Sequence, residues 1–242
     1  MRINFIYILF ICLSIVFSSS SLAVVSKAKG NVKHKKKTQK ELSTAKIGME
    51  LYNNDYIQTG QNGFAKYVYL DDGTQIKIHN NSEVYIRGEI DRRSIIKQLK
   101  VDEGTVKFEV KKQSVDEFTV ITPTSVASVK GTSFWIDCNG GNGDQFFGES
   151  GSVIIRNRES GEKKQLTKNK VANSLPDGSL KVREITPKEL EMLEKREVDV
   201  GESNSNKSDS QLGSSMKDSQ NEIIIELEDT LGNKKTITVK VQ

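Results

Sequence analysis

The sequence predicts an all-β (mainly β) fold, an irregular stack of strand-turn-strand units that is partly solenoid-like, and three observations predict it. Between Lys27 and Val182 apolar and polar residues alternate in short runs, the period of a half-buried strand. Gly, Asn and Asp separate those runs, and these residues adopt positive φ or bond their own backbone at low cost. No apolar stripe of helical spacing interrupts the pattern before Thr186.

The elements follow in chain order. Val68 and Leu70 precede Asp71-Asp72-Gly73-Thr74, and Ile76 and Ile78 follow it. This reads as a hairpin, because Asp-Gly supplies the turn that twisted strands require. Asn80-Asn81-Ser82 then leads into Val84 and Ile86, expected as a third strand on the same apolar face. The same turn device is expected at Asp102-Glu103-Gly104-Thr105, Glu149-Ser150-Gly151-Ser152 and Pro176-Asp177-Gly178-Ser179. The glycines of these turns are 31, 47 and 27 residues apart, too unequal for a fixed repeat. Thr186-Pro187-Lys188-Glu189 is a capping box with proline in the first turn, which opens one short C-terminal helix over residues 186–198. Residues 199–221 are Ser- and Asn-rich with almost nothing to bury and read as a disordered linker. Residues 222–242 return to strand alternation on both sides of Leu231-Gly232-Asn233, a terminal β-hairpin. A lone hairpin is marginal in water, so it is expected to dock on the main domain or to add a strand to a partner.

The chain opens with a basic Met1–Asn4, an apolar run from Phe5 to Phe17, and the small-x-small triplet Ser21-Leu22-Ala23. That order predicts a cleavable secretory signal peptide over residues 1–23, cut near Ala23, and a periplasmic or otherwise exported protein whose β domain spans 24–185. The run is shorter than the roughly 20 residues that span a bilayer. The alternative is that the segment stays uncleaved as a membrane tether. Ile11 precedes Cys12, where a lipidation site needs a small residue. Cys138 is then the one cysteine left after processing, which excludes an intrachain disulfide framework. A formal net charge of +4 excludes a polyelectrolyte.

No catalytic, cofactor-binding or metal-binding residue is assigned, and the binding residues are left unknown. The two histidines, His34 in a lysine-rich loop and His79 beside a turn, have no ligand spacing with a second His, Cys or carboxylate. A Cys138–His79 nucleophilic pair lacks an orienting third residue and an oxyanion motif. Asp71-Asp72 and Asp102-Glu103 sit beside turn glycines, where carboxylates serve local hydrogen bonding. Asn139-Gly140-Gly141-Asn142-Gly143-Asp144 lacks the Lys-Ser/Thr of a phosphate loop and reads as a hairpin tip. Lys33, Lys35, Lys36 and Lys37 form the strongest charge cluster. With no aromatic residue between Val24 and Leu51 to stack on bases, it argues against nucleic acid. It reads as a solvated loop, with weak contact to an anionic membrane surface as the functional alternative.

Phe118 to Ile136 is the most informative segment. It reads as a strand with Phe118 and Val120 inward, a break at Thr122-Pro123-Thr124, a strand through Ala127 and Val129, then Gly131-Thr132 and a strand through Phe134 and Ile136. Pro123 must lie at an edge or corner, and Gly131 marks a bulge or a close backbone approach. This order resembles the FecR domain family, with its V-x-T-P-x-x-x-x-x-V-[RK]-G-T-x-F-x-V core. Val120, Thr122, Pro123, Val129, Lys130, Gly131, Thr132, Phe134 and Ile136 fill those places. Gly48-Met49-Glu50-Leu51, Asp55-Tyr56-Ile57-Gln58-Thr59-Gly60, Asp72-Gly73-Thr74, Gly104-Thr105-Val106 and Gly151-Ser152-Val153 resemble its other landmarks, over about Val25 to Pro176.

The resemblance implies a non-catalytic all-β domain that binds an envelope protein or a glycan. Family regulators set a cytoplasmic anti-sigma segment and a membrane span before this domain. Here only Met1 to Asn4 precede the apolar run, so the expectation is an exported form without that segment. A membrane-tethered relay of iron-uptake signalling is the alternative.

Overall fold

The computed structural model describes residues 20–91, 94–113, 116–139 and 142–202, and the strands Glu222–Glu228 and Lys234–Lys240. The chain divides into two units, residues 1–200 and 201–242. Within the first, seventeen strands form one continuous ladder folded into two facing layers.

Layer A runs, neighbour by neighbour, through β4 (Glu50–Leu51), β1 (Ala23–Lys29), β6 (Phe64–Tyr69), β7 (Gln75–Ile78), β9 (Ser94–Glu109), β12 (Ser133–Cys138), β13 (Asp144–Ser150), β16 (Lys170–Ser174) and β17 (Leu180–Glu184). Layer B runs through β3 (Ser43–Thr44), β2 (Val32–Lys35), β5 (Asp55–Thr59), β8 (Ser82–Asp91), β9 again, β10 (Phe118–Ile121), β11 (Ser125–Val129), β14 (Ser152–Asn157) and β15 (Lys163–Thr167). The first part of β9 pairs with β8 and β10, and its second part with β7 and β12. β9 therefore belongs to both layers. Period-two alternation fills the space between them, with Leu99 and Val101 from layer B and Val106 and Phe108 from layer A in one core. Phe118 of layer B meets Tyr69 and Phe108 of layer A at ring separations of 5.9 and 6.0 Å.

The expected turns sort into two kinds. Gly73 closes a true hairpin, β6 to β7, with Asp72 Oδ1 accepting from the Thr74 amide. Residues 102–105 instead lie inside β9, where the strand passes from one layer to the other. Gly104 has φ of 94°, and a Cβ there would overlap Ser82 Oγ, so the crossing needs glycine. Gly151 likewise joins β13 of layer A to β14 of layer B and closes no hairpin. β8, expected on the face of β7, lies in layer B beside β5 and β9. Pro123 sits exposed in the β10–β11 turn, and Gly131 marks the passage from β11 to β12, where a Cβ would stand 3.0 Å from Lys112 Cα.

Buried polar groups fasten these corners. His34 is not in a loop: it lies on β2, 1% exposed, with Nε2 2.8 Å from the equally buried Asp55 Oδ2, which also accepts from the Tyr52 amide. Thr59 Oγ1 donates to His79 O and accepts from the Ser82 amide, and Ser82 Oγ accepts from the Thr105 amide. Asp144 accepts from Thr122 Oγ1 at 2.5 Å, from the Thr124 amide at 2.9 Å and from Thr124 Oγ1. Asp55, Thr59, Thr105 and Thr122, among the residues that carry the resemblance, take part in these internal fastenings.

The helix α1 spans Pro187–Glu202, four residues beyond the expected end at 198 and into the segment expected as linker. Its capping box forms as read, with Thr186 Oγ1 accepting from the Glu189 amide and Glu189 Oε2 from the Thr186 amide. Arg183 adds a two-pronged ion pair to Glu189, holding that carboxyl down at about 2. The second unit contains an antiparallel hairpin of β18 (Glu222–Glu228) and β19 (Lys234–Lys240), paired from Glu222↔Lys240 to Glu228↔Lys234. Residues 1–19, which hold most of the expected signal peptide, and 203–221 lie outside the described residues.

Candidate interaction surface

Three strands of layer A share a local pattern: Ala65-Lys66-Tyr67, Ile76-Lys77-Ile78 and Val106-Lys107-Phe108. The apolar neighbours face the core, so alternation turns each lysine to the outer face. The registers place these lysines side by side: Lys27 opposite Lys66, Lys66 opposite Lys77, and Lys77 opposite Lys107. The row continues as Trp135, Phe147, Val171 and Arg183. The row is cationic from Lys27 to Lys107, aromatic or apolar from Trp135 to Val171, and cationic again at Arg183. Like charges directly opposed on a sheet repel, so this arrangement requires compensation.

Part of the compensation comes from α1, which lies on the apolar half. Leu193 is buried against Trp135, Phe147 and Val171, with Ile185 and Met192 beside it. One turn further on, Glu197 pairs with both Lys77 and Lys107, the latter at 2.6 Å. Lys77 also pairs with Glu109 at 2.8 Å, and Lys107 with Glu149 at 3.2 Å. Burial works against the charge on Lys77, but Glu109 and Glu197 outweigh it and hold its ammonium above the ordinary range. Arg196 donates to Thr105 Oγ1 at 2.6 Å and lies 3.5 Å from Asp137. A cavity of about 280 Å³ remains between helix and sheet, lined by Lys107, Trp135, Phe147, Asn169, Leu193 and Glu197 among others.

The lysines at the far end feel the row differently. Burial first, then neighbouring Lys29, Lys66 and Lys77, push Lys27 down to about 8. Lys66 is lowered by burial and by Lys77, against the smaller pull of Glu109 and Glu197. Trp135 is enclosed by Lys107 Nζ, 5.1 Å from its ring centre, and by the His79 ring at 5.0 Å. Burial pushes His79 down to about 4.

The candidate pair of Cys138 and His79 is not brought together. Cys138 faces the core with Ile136, and burial followed by Asp144 pushes its thiol well up. His79 packs on Trp135, which points to the opposite face. Among the described residues, no three His, Cys, Asp or Glu side chains converge to hold a metal ion. Asn139 to Asp144 forms the β12–β13 tip, with the Asn142 amide donating to Asn139 O; Gly140 and Gly141 lie outside the described residues.

Lys33 and Lys35 lie on β2, in a strand where a loop was expected, and Lys36 and Lys37 are exposed just beyond it. Aromatic neighbours absent from their stretch of sequence reach them across the sheet. Lys35 Nζ is 5.5 Å from the Tyr56 ring, Lys36 Nζ 5.0 Å from Tyr52, and Tyr56 contacts Tyr85 at 4.8 Å. The layer A row itself was missed. Its signal, three apolar-Lys-apolar triplets, is present in the sequence, but the register that aligns them is not.

Residues 55–146 match the family model described as FecR protein. That span holds the Asp55–Gly60 entry, the Asp72-Gly73-Thr74 turn and the Val120–Ile136 core, so the motif resemblance is borne out over it. Two crystal structures of a protein from Parabacteroides distasonis ATCC 8503, described as a candidate anti-sigma factor, are similar in fold. One is 19% identical with a TM-score of 0.47, covering 57% of this chain and 63% of that one. The other is 18% identical with a TM-score of 0.47, covering 56% and 62%. This chain thus spans less than two thirds of that protein's length. No curated protein matches the sequence.

Proposed function

From its FecR domain over residues 55–146, we propose that this chain is a signalling module of the cell envelope that works by binding another envelope protein and performs no catalysis. The family match supports a signalling and regulatory role. The observation that carries the binding is the outer row of layer A, four lysines continued by Trp135, Phe147 and Val171. Charge steers a partner to the lysine end of such a face and sets its register, while the Trp135, Phe147 and Val171 end is where α1 makes its own apolar contact. The fate of the two nucleophile candidates supports a non-catalytic reading, since Cys138 is shut in the core and His79 faces the other way.

The test is a photo-crosslinking amino acid placed at Lys66 of the full chain, activated in intact cells, followed by fractionation. A protein adduct in the envelope fraction is expected, and Lys77→Glu with Lys107→Glu should reduce its yield at least fivefold. Recovery of the chain in the cytosol, or an adduct with glycan alone, would reject the reading.

A further inference from the structure

We infer that the outer face of layer A is a docking surface for an acidic amphipathic helix of a partner protein, and that α1 occupies it as an in-chain stand-in. The inference rests on the reading that this chain works by protein binding, and names the partner's chemistry.

The occupant already seated there defines what the surface accepts. α1 carries six acidic and three basic residues and still contributes an apolar ridge through Leu193 and Met192. Its ridge covers the Trp135, Phe147 and Val171 end of the row, and Glu197 reaches the lysine end. The row extends past that carboxylate to Lys66 and on to Lys27, both lowered in pKa by burial first and by neighbouring lysines after it. A partner helix with further carboxylates would meet them. The cis contact is also incomplete: Leu193 is α1's one buried apolar residue among the described ones, and the roughly 280 Å³ cavity leaves apolar wall atoms open to water. A better-filling helix covers those atoms on replacing α1, which is the condition for exchange.

Trp135, the single tryptophan, lies under α1 and reports the exchange directly. The probe is a synthetic peptide of residues 186–202, titrated into the full chain and into the full-chain variant Leu193→Lys with Glu197→Lys, whose α1 is repelled by Lys77 and Lys107. The variant should bind the peptide at least tenfold more tightly than wild type, with a saturable change in Trp135 emission. Adding Lys66→Glu and Lys77→Glu should abolish that gain. If the loosened variant loses its melting transition, a saturable Trp135 response of the wild-type chain decides instead. Absence of a saturable response in both proteins would overturn the inference, and so would equal binding of poly-glutamate or of vesicles containing one third phosphatidylglycerol. Peptide binding with a cytosolic location would leave this surface standing and remove the envelope reading, and the reverse result would do the opposite.

Discussion

Asp144 is 2% exposed and carries three hydrogen bonds from the Thr122–Thr124 turn, so one carboxylate ties the β10–β11 turn of layer B to β13 of layer A. Removing the acceptor strands buried donors, a loss of ~2–3 kcal/mol. Asp144→Ala should therefore lower the urea midpoint without changing the m-value, and an unchanged midpoint would refute the fastening. His79 makes a pH prediction. Its folded pKa of about 4 lies below the ordinary 6.5 because burial disfavours the imidazolium. The unfolded chain then binds the extra proton, so the stability His79 contributes is complete above about pH 6.5 and is lost as pH falls toward 4. The loss amounts to something on the order of 3 kcal/mol. Glu189 and Glu197, with depressed values, titrate below the carboxylate range and leave pH 6.5 to 4.5 clear. His79→Phe should flatten thermal stability in that window relative to wild type; parallel curves would reject the assignment.

At the scale of elements, the start of β1 bears on processing. Leu22 is 2% exposed, its amide donates to Leu51 O at 2.8 Å, and its carbonyl accepts from the Leu70 amide; Ala23 is fully buried and pairs with both Leu51 and Tyr69. A cut after Ala23 would remove both residues and leave a charged amino group at Val24 in the ladder. Ser18-x-Ser20 and Ser19-x-Ser21 offer the same small-x-small signature just upstream. If the chain is processed, as its sequence predicts, N-terminal sequencing of the mature form is expected to begin at Ser21 or Leu22, and a start at Val24 would refute this. What the sequence revealed and concealed divides at this scale too. The capping box of α1, the Gly73 hairpin and the Asn139–Asp144 tip were legible because their determinants are local. The layer to which each strand belongs was not. A period of two says that a strand has an inner and an outer face, not which sheet it joins, so Gly104 and Gly151 read as hairpin turns when they are passages between layers. The lysines of β2 read as a loop because polar residues outnumber Val32 there, and the partner that buries His34 lies 21 residues away.

For the whole molecule, the main core is assembled from residues between Leu22 and Val182, with the smaller cluster under α1 ending at Leu193. Deleting residues 222–242 should leave the melting midpoint of the first unit within about 1 °C, because the buried residues of both clusters, as described, come from Leu22 to Leu193. A shift of several degrees would show that the terminal hairpin contributes to that core. Partner capture by the shortened chain then separates strand addition through β18 or β19 from docking on layer A.

β9 pairs with four other strands and is shared by both layers. A chain that emerges amino end first therefore holds two unjoined half-sheets until β9 has appeared, with β7 and β8 each lacking the edge partner that β9 supplies. Nearly half of the polypeptide must wait with open strand edges, the state most exposed to wrong pairing. The layers then close together around one strand, so completion of the fold is timed by the arrival of a single segment near the middle of the chain.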